Sequence, residues 1–204
     1  MVVKVHPENP ETRSISKAAE ILNSGGIVIY PTDTVYGIGC SVRDKNAIER
    51  IYLIKRQRVD KPFSFVCSDL TDISEYAHVS NEAFKIMKHL IPGPYTFILP
   101  ATKMKRLPKI LVSKRKTVGI RVPNSRVTLE LVKQLGHPIL STSVTTEDGE
   151  LLNDPELIID RFKNTVDLII DGGSLTSEPS TVIDLTDEKP KVLRKGAGDV
   201  SMLE

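Results

Sequence analysis

The chain has 204 residues with 28 Lys and Arg against 26 Asp and Glu, a net charge of +2, and 40% hydrophobic residues. That balance suits one folded domain with a substantial core and excludes a disordered chain, a collagen-like fibre and a disulfide scaffold. No apolar run nears the ~20 residues of a membrane helix and no basic-then-apolar leader opens the chain, so a cytoplasmic protein is expected.

In chain order, Val2 to Val5 reads as a strand. Pro10 to Asn23 reads as a helix, with Ile15, Ala18, Ala19 and Leu22 at helical spacing and Gly25-Gly26 as its stop. Ile27 to Tyr30 is a short, wholly apolar strand of the kind that suits a sheet covered on both faces. Asp44 is a predicted N-cap for a helix carrying Ala47, Ile48, Ile51 and Ile54. Phe63 to Cys67 reads as a strand, and helices are predicted at Asp69 to Tyr76 and Asn81 to Leu90. Pro92-Gly93-Pro94 turns the chain into a strand from Thr96 to Leu99. Further strands are predicted at Thr117 to Val122, Ile139 to Ser141, Val166 to Ile170, Thr181 to Leu185 and Lys191 to Leu193. Helices at Val127 to Leu135 and Pro155 to Phe162 lie between them. Strands and helices alternate throughout, which predicts an α/β fold in a single domain over residues 1–204.

The charge is unevenly divided. Residues 43–62 hold seven bases and three acids, residues 103–126 hold nine bases and no acid, and residues 127–204 hold 15 acids against seven bases. Two basic segments on a nearly neutral chain point to an anionic partner such as a phosphate, a nucleotide or a nucleic acid. The two cysteines, Cys40 and Cys67, sit in apolar settings and fit a reducing compartment. With four scattered histidines, no dedicated metal site is expected.

The familiar nucleotide loops are absent. No G-x-x-x-x-G-K-[ST] occurs, and Gly37-Ile38-Gly39 and Gly196-Ala197-Gly198 read as loop fragments rather than a dinucleotide fingerprint. No G-x-S-x-G elbow occurs either. Polar clusters instead follow strand ends, where α/β sheets place their ligands. Tyr30 through Gly37 brings Thr32, Asp33 and Thr34 directly after an apolar strand. Lys55-Arg56-Gln57-Arg58 with Lys61 ends an amphipathic helix; dipole capping accounts for part of that cluster and phosphate binding for the rest. Thr117, Gly119 and Arg121 share one strand face, a seat for a carboxylate or phosphate if Arg121 is not taken by a structural acid. Ser141 through Thr146 offers five hydroxyls in six positions, and Ser180-Thr181 and Arg194 mark two more strand ends.

Taken together these segments resemble the YrdC/YciO family, and the opening Val5-His6-Pro7-Glu8-Asn9-Pro10 and the ending Val192 through Val200 are most similar to its YciO branch. The resemblance runs from about Val2 to Val200. It is carried by Tyr30 through Gly39, Lys55 through Pro62, Pro92 through Phe97, Val118 through Pro123, Pro138 through Ser143 and Pro179 through Asp184.

The resemblance implies a twisted mixed sheet with helices packed on it and a basic concave face. It implies a nucleotidyltransferase, a threonylcarbamoyl-AMP synthase that uses ATP, L-threonine and bicarbonate with Mg²⁺. The product feeds threonylcarbamoyladenosine modification of tRNA, through a partner enzyme of that pathway. The alternative on the same fold is a non-catalytic protein that binds double-stranded RNA, tRNA or nucleotide. Carried over by position, Thr34, Arg121 and Ser180 would hold threonine. Lys55, Arg58, Lys61, Thr117, Ser141, Ser143 and Arg194 would face the nucleotide, and Lys55 and Arg121 would be catalytic. The chain departs from the synthase pattern twice. Gln57 stands where K-x-R has its Arg, and Thr145 stands where S-x-N has its Asn.

Overall fold

The computed structural model describes residues 1–55, 63–71, 73–102, 116–176 and 178–203. Among these, ten strands form one mixed sheet and five α-helices pack on it. The strands are β1 (Val2–Lys4), β2 (Ile27–Tyr30), β3 (Gly37–Ser41), β4 (Ser64–Val66), β5 (Tyr95–Pro100), β6 (Thr117–Arg121), β7 (Ile139–Ser143), β8 (Leu168–Asp171), β9 (Thr181–Asp184) and β10 (Lys191–Arg194). The helices are α1 (Thr12–Asn23), α2 (Lys45–Ile54), α3 (Asn81–Leu90), α4 (Arg126–Leu135) and α5 (Pro155–Phe162). The sheet order is β1-β8-β2-β3-β7-β4-β6-β5-β9-β10. Parallel pairs join β1 to β8, β8 to β2, β4 to β6 and β5 to β9, and the remaining neighbours are antiparallel.

Side chains alternate along a strand, so each strand feeds two cores. Ile27 and Ile29 of β2, Leu140 of β7, Phe97 of β5 and Ile120 of β6 face one side, where α2, α3 and α5 cover them with Ile48, Ile51, Met87, Ile158 and Phe162. Val28 and Tyr30 of β2, Ile139 of β7, Val66 of β4 and Leu168 and Ile170 of β8 face the other side. There α1 and α4 cover them with Ile15, Leu22, Leu131 and Leu135. The second pair of helices covers the β8-β2 side of the sheet. Towards β5, β9 and β10 the same face carries Gly119, Thr96, Val182 and Arg194 and stays open as a cleft.

Local signals explain most element ends. The Asp44 carboxylate accepts from the Ala47 amide and caps α2, Ser80 caps α3, and Asp154 caps α5 with Pro155 in its first turn. Gly136 closes α4 at φ 75°, a left-handed position that favours glycine.

Two expectations are corrected. Asp69 to Tyr76 is not an α-helix. The Asp69 carboxylate accepts from the Thr71 amide at 2.7 Å and bends the chain into a turn, which leaves a short 3₁₀ segment at Ile73–Glu75. Gly37-Ile38-Gly39 is not a loop but the start of β3, wholly buried between β2 and β7. Its glycines are needed there because a Cβ on Gly39 would come within 2.5 Å of Ile139. No helix among the described residues is long and apolar enough to cross a membrane.

The Phe97 ring is fully buried between β6 and the helices of the larger core. Phe97→Ala is expected to cost about 3–5 kcal/mol, read as a lowered urea midpoint with an unchanged slope.

Candidate functional site

The open half of the sheet forms a cleft of about 240 Å³. Its floor is made of short side chains at positions that pair across strands: Gly37 opposite Ser143, Ser64 opposite both Gly119 and Ser141, and Ile98 opposite Gly119. A Cβ on Gly119 would meet the Ser64 hydroxyl at 2.9 Å, and one on Gly37 would meet the Ser141 hydroxyl at 3.0 Å. The glycines therefore keep the floor low enough for a ligand to lie on it.

Arg121 ends β6 and is 9% exposed. Its Nη2 donates to Asp33 Oδ1 at 2.6 Å, Thr34 Oγ1 at 2.6 Å and Thr32 Oγ1 at 3.2 Å, so two protons are shared among three acceptors. The Asp33 carboxylate also accepts from the Asn124 amide at 2.9 Å, which ties the loop after β2 to the chain after β6. Thr32 in turn donates to the Val35 carbonyl at 2.7 Å, holding that loop in a tight turn. The Arg121 Nε is buried and has no acceptor among the described residues. A buried guanidinium N–H without a partner is costly, and an anionic ligand in the cleft would supply one.

A second guanidinium faces the same space. Arg194, at the end of β10, donates through Nε and Nη2 to the Ser180 carbonyl at 3.1 and 2.8 Å, and through Nη2 to the Ser180 hydroxyl at 3.2 Å. Ser180 Oγ lies 2.9 Å from Thr96 Oγ1. No carboxylate among the described residues reaches Arg194 within ion-pair distance. Burial, and secondarily the charge of Arg121, pull its pKa below the ordinary arginine value, though a guanidinium stays protonated. The cleft thus holds two positive groups and one neutralising carboxylate.

Tyr30 donates to Ser141 Oγ at 2.7 Å and aligns that hydroxyl, and Ser141 donates to the Ile38 carbonyl. The Tyr36 hydroxyl donates to the Gly173 carbonyl at 2.7 Å and accepts from the Gly172 amide at 3.0 Å. Burial pushes the Tyr36 phenol up to about 12.

Of the residues marked in the sequence, Arg121, Ser141, Ser143, Ser180 and Arg194 line the cleft, and Thr34 reaches it through its bond to Arg121. Thr117 is half-buried on the same strand face but lies beyond the cleft lining. Lys55 caps the end of α2 and does not line the cleft. Its ammonium donates to Thr145 Oγ1, in a neighbouring depression of about 400 Å³ that also holds Thr146 and Arg161. Arg58, Lys61 and Gln57 lie outside the described residues. Sequence reading missed Ser64 and Thr96 as cleft residues. Strand pairing was their signal, since Ser64 stands level with Gly119 and Ser141. The role of Asp33 as the carboxylate on Arg121 was also missed.

An open mixed sheet with two guanidinium groups over a floor of hydroxyls and glycines defines an α/β protein with an anion-facing cleft. Comparison with known proteins makes the class specific. The Sua5/YciO/YrdC family model, described as "Telomere recombination", matches residues 20–196, and the chain belongs to that family. It is 48% identical over 198 residues to the uncharacterized protein YciO of Escherichia coli K12, covering 96% of this chain and 95% of that one. The E. coli YciO crystal structure superposes with a TM-score of 0.93 over 100% of this chain and 99% of that one. The chain is also 30% identical to a threonylcarbamoyl-AMP synthase of Pyrococcus abyssi, over 97% of this chain and 58% of the synthase. The structure of P. abyssi Sua5 complexed with L-threonine matches with a TM-score of 0.89, over 96% of this chain and 57% of that one.

Asp33→Ala removes the carboxylate from a buried guanidinium and is expected to cost about 3–5 kcal/mol, measured by chemical denaturation. The Tyr36 phenol has an ordinary value of 10.0, and the folded protein raises it to about 12, so the native state holds that proton more tightly. Its contribution to stability is complete below pH 10 and fades as the pH rises from about 10 to 12. Tyr36→Phe should flatten that limb of the stability profile.

Proposed function

We propose that the cleft binds L-threonine and ATP and that the protein is a threonylcarbamoyl-AMP synthase-like nucleotidyltransferase. The observation that carries this reading is the unpartnered Nε of Arg121, buried in a hydroxyl-lined cleft. A small α-carboxylate satisfies that proton, and Thr34 and Ser180 stand on either side to fix a short polar side chain. A 30% identical relative has a structure complexed with L-threonine, which supports the same ligand here.

In the proposed reaction the threonine amine condenses with bicarbonate, an N–C bond forming as a C–O bond breaks and water leaves, and becomes a carbamate. A carbamate oxygen then attacks the α-phosphorus of ATP, and the bond to pyrophosphate breaks. No protein nucleophile is required. Arg121 holds the amino-acid carboxylate, while Arg194 and the hydroxyls of Ser141 and Ser143 face the nucleotide. Lys55, one strand-end away, takes the polyphosphate. Positioning and neutralisation of charge supply the acceleration. Among the described residues no three His, Cys, Asp or Glu side chains converge as metal ligands. A magnesium ion arriving with ATP would be held chiefly by the phosphate oxygens and would neutralise their charge. The product would pass to the enzyme that places the threonylcarbamoyl group on tRNA.

The test is mass spectrometry of products after incubation with ATP, threonine and bicarbonate. Threonylcarbamoyl-AMP and pyrophosphate are expected, both lost in Arg121→Ala. Threonine binding without any adenylate product would leave a binding protein on the same scaffold and overturn the enzymatic reading.

A further inference from the structure

A second cavity, of about 260 Å³, opens beyond the other end of α4. The first turn of α4 abuts the cleft side, where Thr128 donates to the Pro31 carbonyl at 2.8 Å. Its last turn supplies Val132 and Lys133 to the second cavity, and the chain continues through Gly136, His137 and Pro138 along its wall. The facing wall is Cys67, Ser68, Asp69, Ile73 and Tyr76. A helix of ten residues, about 15 Å long, therefore separates the two sites.

The cavity is apolar inside and charged at the mouth. Ile73, Tyr76, Val132 and Cys67 are all buried, at 4–6% exposure, yet their surfaces line the hollow. His137 is also buried, and burial lowers its pKa, so the ring is a neutral wall held near Ser41 Oγ. Two charges of opposite sign stand at the rim. Asp69 is fixed by the Thr71 amide and lies close to the Ser68 hydroxyl. Its carboxyl is held below the ordinary value chiefly by Thr71, and Lys133 adds a smaller pull from across the cavity. No carboxylate among the described residues comes within ion-pair distance of Lys133. The two groups feel each other across the mouth without meeting.

We infer that this cavity is a binding site for a small zwitterion, an α-amino acid with an apolar side chain. Its carboxylate pairs with Lys133, its ammonium with Asp69, and its side chain enters the pit between Ile73, Tyr76 and Val132. The site is independent of the threonine reading, since it shares no residue with the cleft.

The experiment is an amide-shift titration of the ¹⁵N-labelled full chain with L-leucine and L-phenylalanine. Saturable shifts are expected at Ile73, Tyr76, Lys133, Gly136 and His137, with Gly119, Ser143 and Ser180 unmoved. N-acetyl-L-phenylalanine and phenethylamine, each lacking one charge, should bind at least several-fold more weakly. Lys133→Ala, an exposed and conservative truncation for folding, should remove the saturation. Arg121→Ala should keep it while losing threonine, so failure here and failure of the proposed function read separately. Absence of shifts with both amino acids overturns the inference, and so do shifts confined to the cleft or unchanged saturation in Lys133→Ala.

Discussion

The architecture turns on one buried cation. A guanidinium at 9% exposure is tolerated only where its protons and its charge are met. Arg121 meets that condition by drawing three successive residues, Thr32, Asp33 and Thr34, onto a single nitrogen. The loop after β2 is thereby shaped from the end of β6, four strands away in the sheet order. Asp33 passes the constraint to Asn124, and Ser125 then caps α4. Loop, strand end and helix start are set together, so the buried Nε–H that lacks an acceptor is held in a fixed place. A fixed, dry donor discriminates between ligands better than a mobile surface charge does.

The cleft arises from how the sheet is dressed rather than from any inserted element. One face is packed along its length by α2, α3 and α5. On the other, α1 and α4 cover the half that carries Val28, Tyr30, Leu168 and Ile170. Where the same face turns to glycine, serine and threonine there is too little apolar area to hold a helix. Burial of a large side chain is worth ~1.5–3 kcal/mol, and positions such as Gly37, Ser64 and Gly119 offer almost none of it. The composition that refuses a helix is the composition that leaves the cleft open and polar.

Much of this was legible in the sequence, because local chemistry carried it. The caps at Asp44 and Gly136, the apolar run Ile27–Tyr30 and the alternation around Arg121 each name an element or a face without tertiary information. The failures have a common cause. β3 reads as a glycine loop because its strand character comes from Tyr30 and Ile139 pressing on it from either side. Asp69 to Tyr76 carries a helical period, but a single Asp side chain takes the amide two residues on and diverts the backbone. Ser64 is an ordinary hydroxyl until pairing sets it level with Gly119, and Thr96 until the fold brings it within 2.9 Å of the Ser180 hydroxyl. Arg121 posed a choice between a structural acid and a ligand anion, and the structure supplies the acid. Asp33 satisfies one nitrogen and leaves another unsatisfied.

The tether between Lys55 and Thr145 marks a boundary. Thr145 lies two residues past the end of β7, where it bridges Leu151 instead of continuing the strand. The ammonium therefore sits in a depression of its own, lined also by Thr146 and Arg161, which shares no lining residue with the cleft that holds Arg121 and Arg194. Cleft and depression are thus two separate basins, each with positive groups of its own.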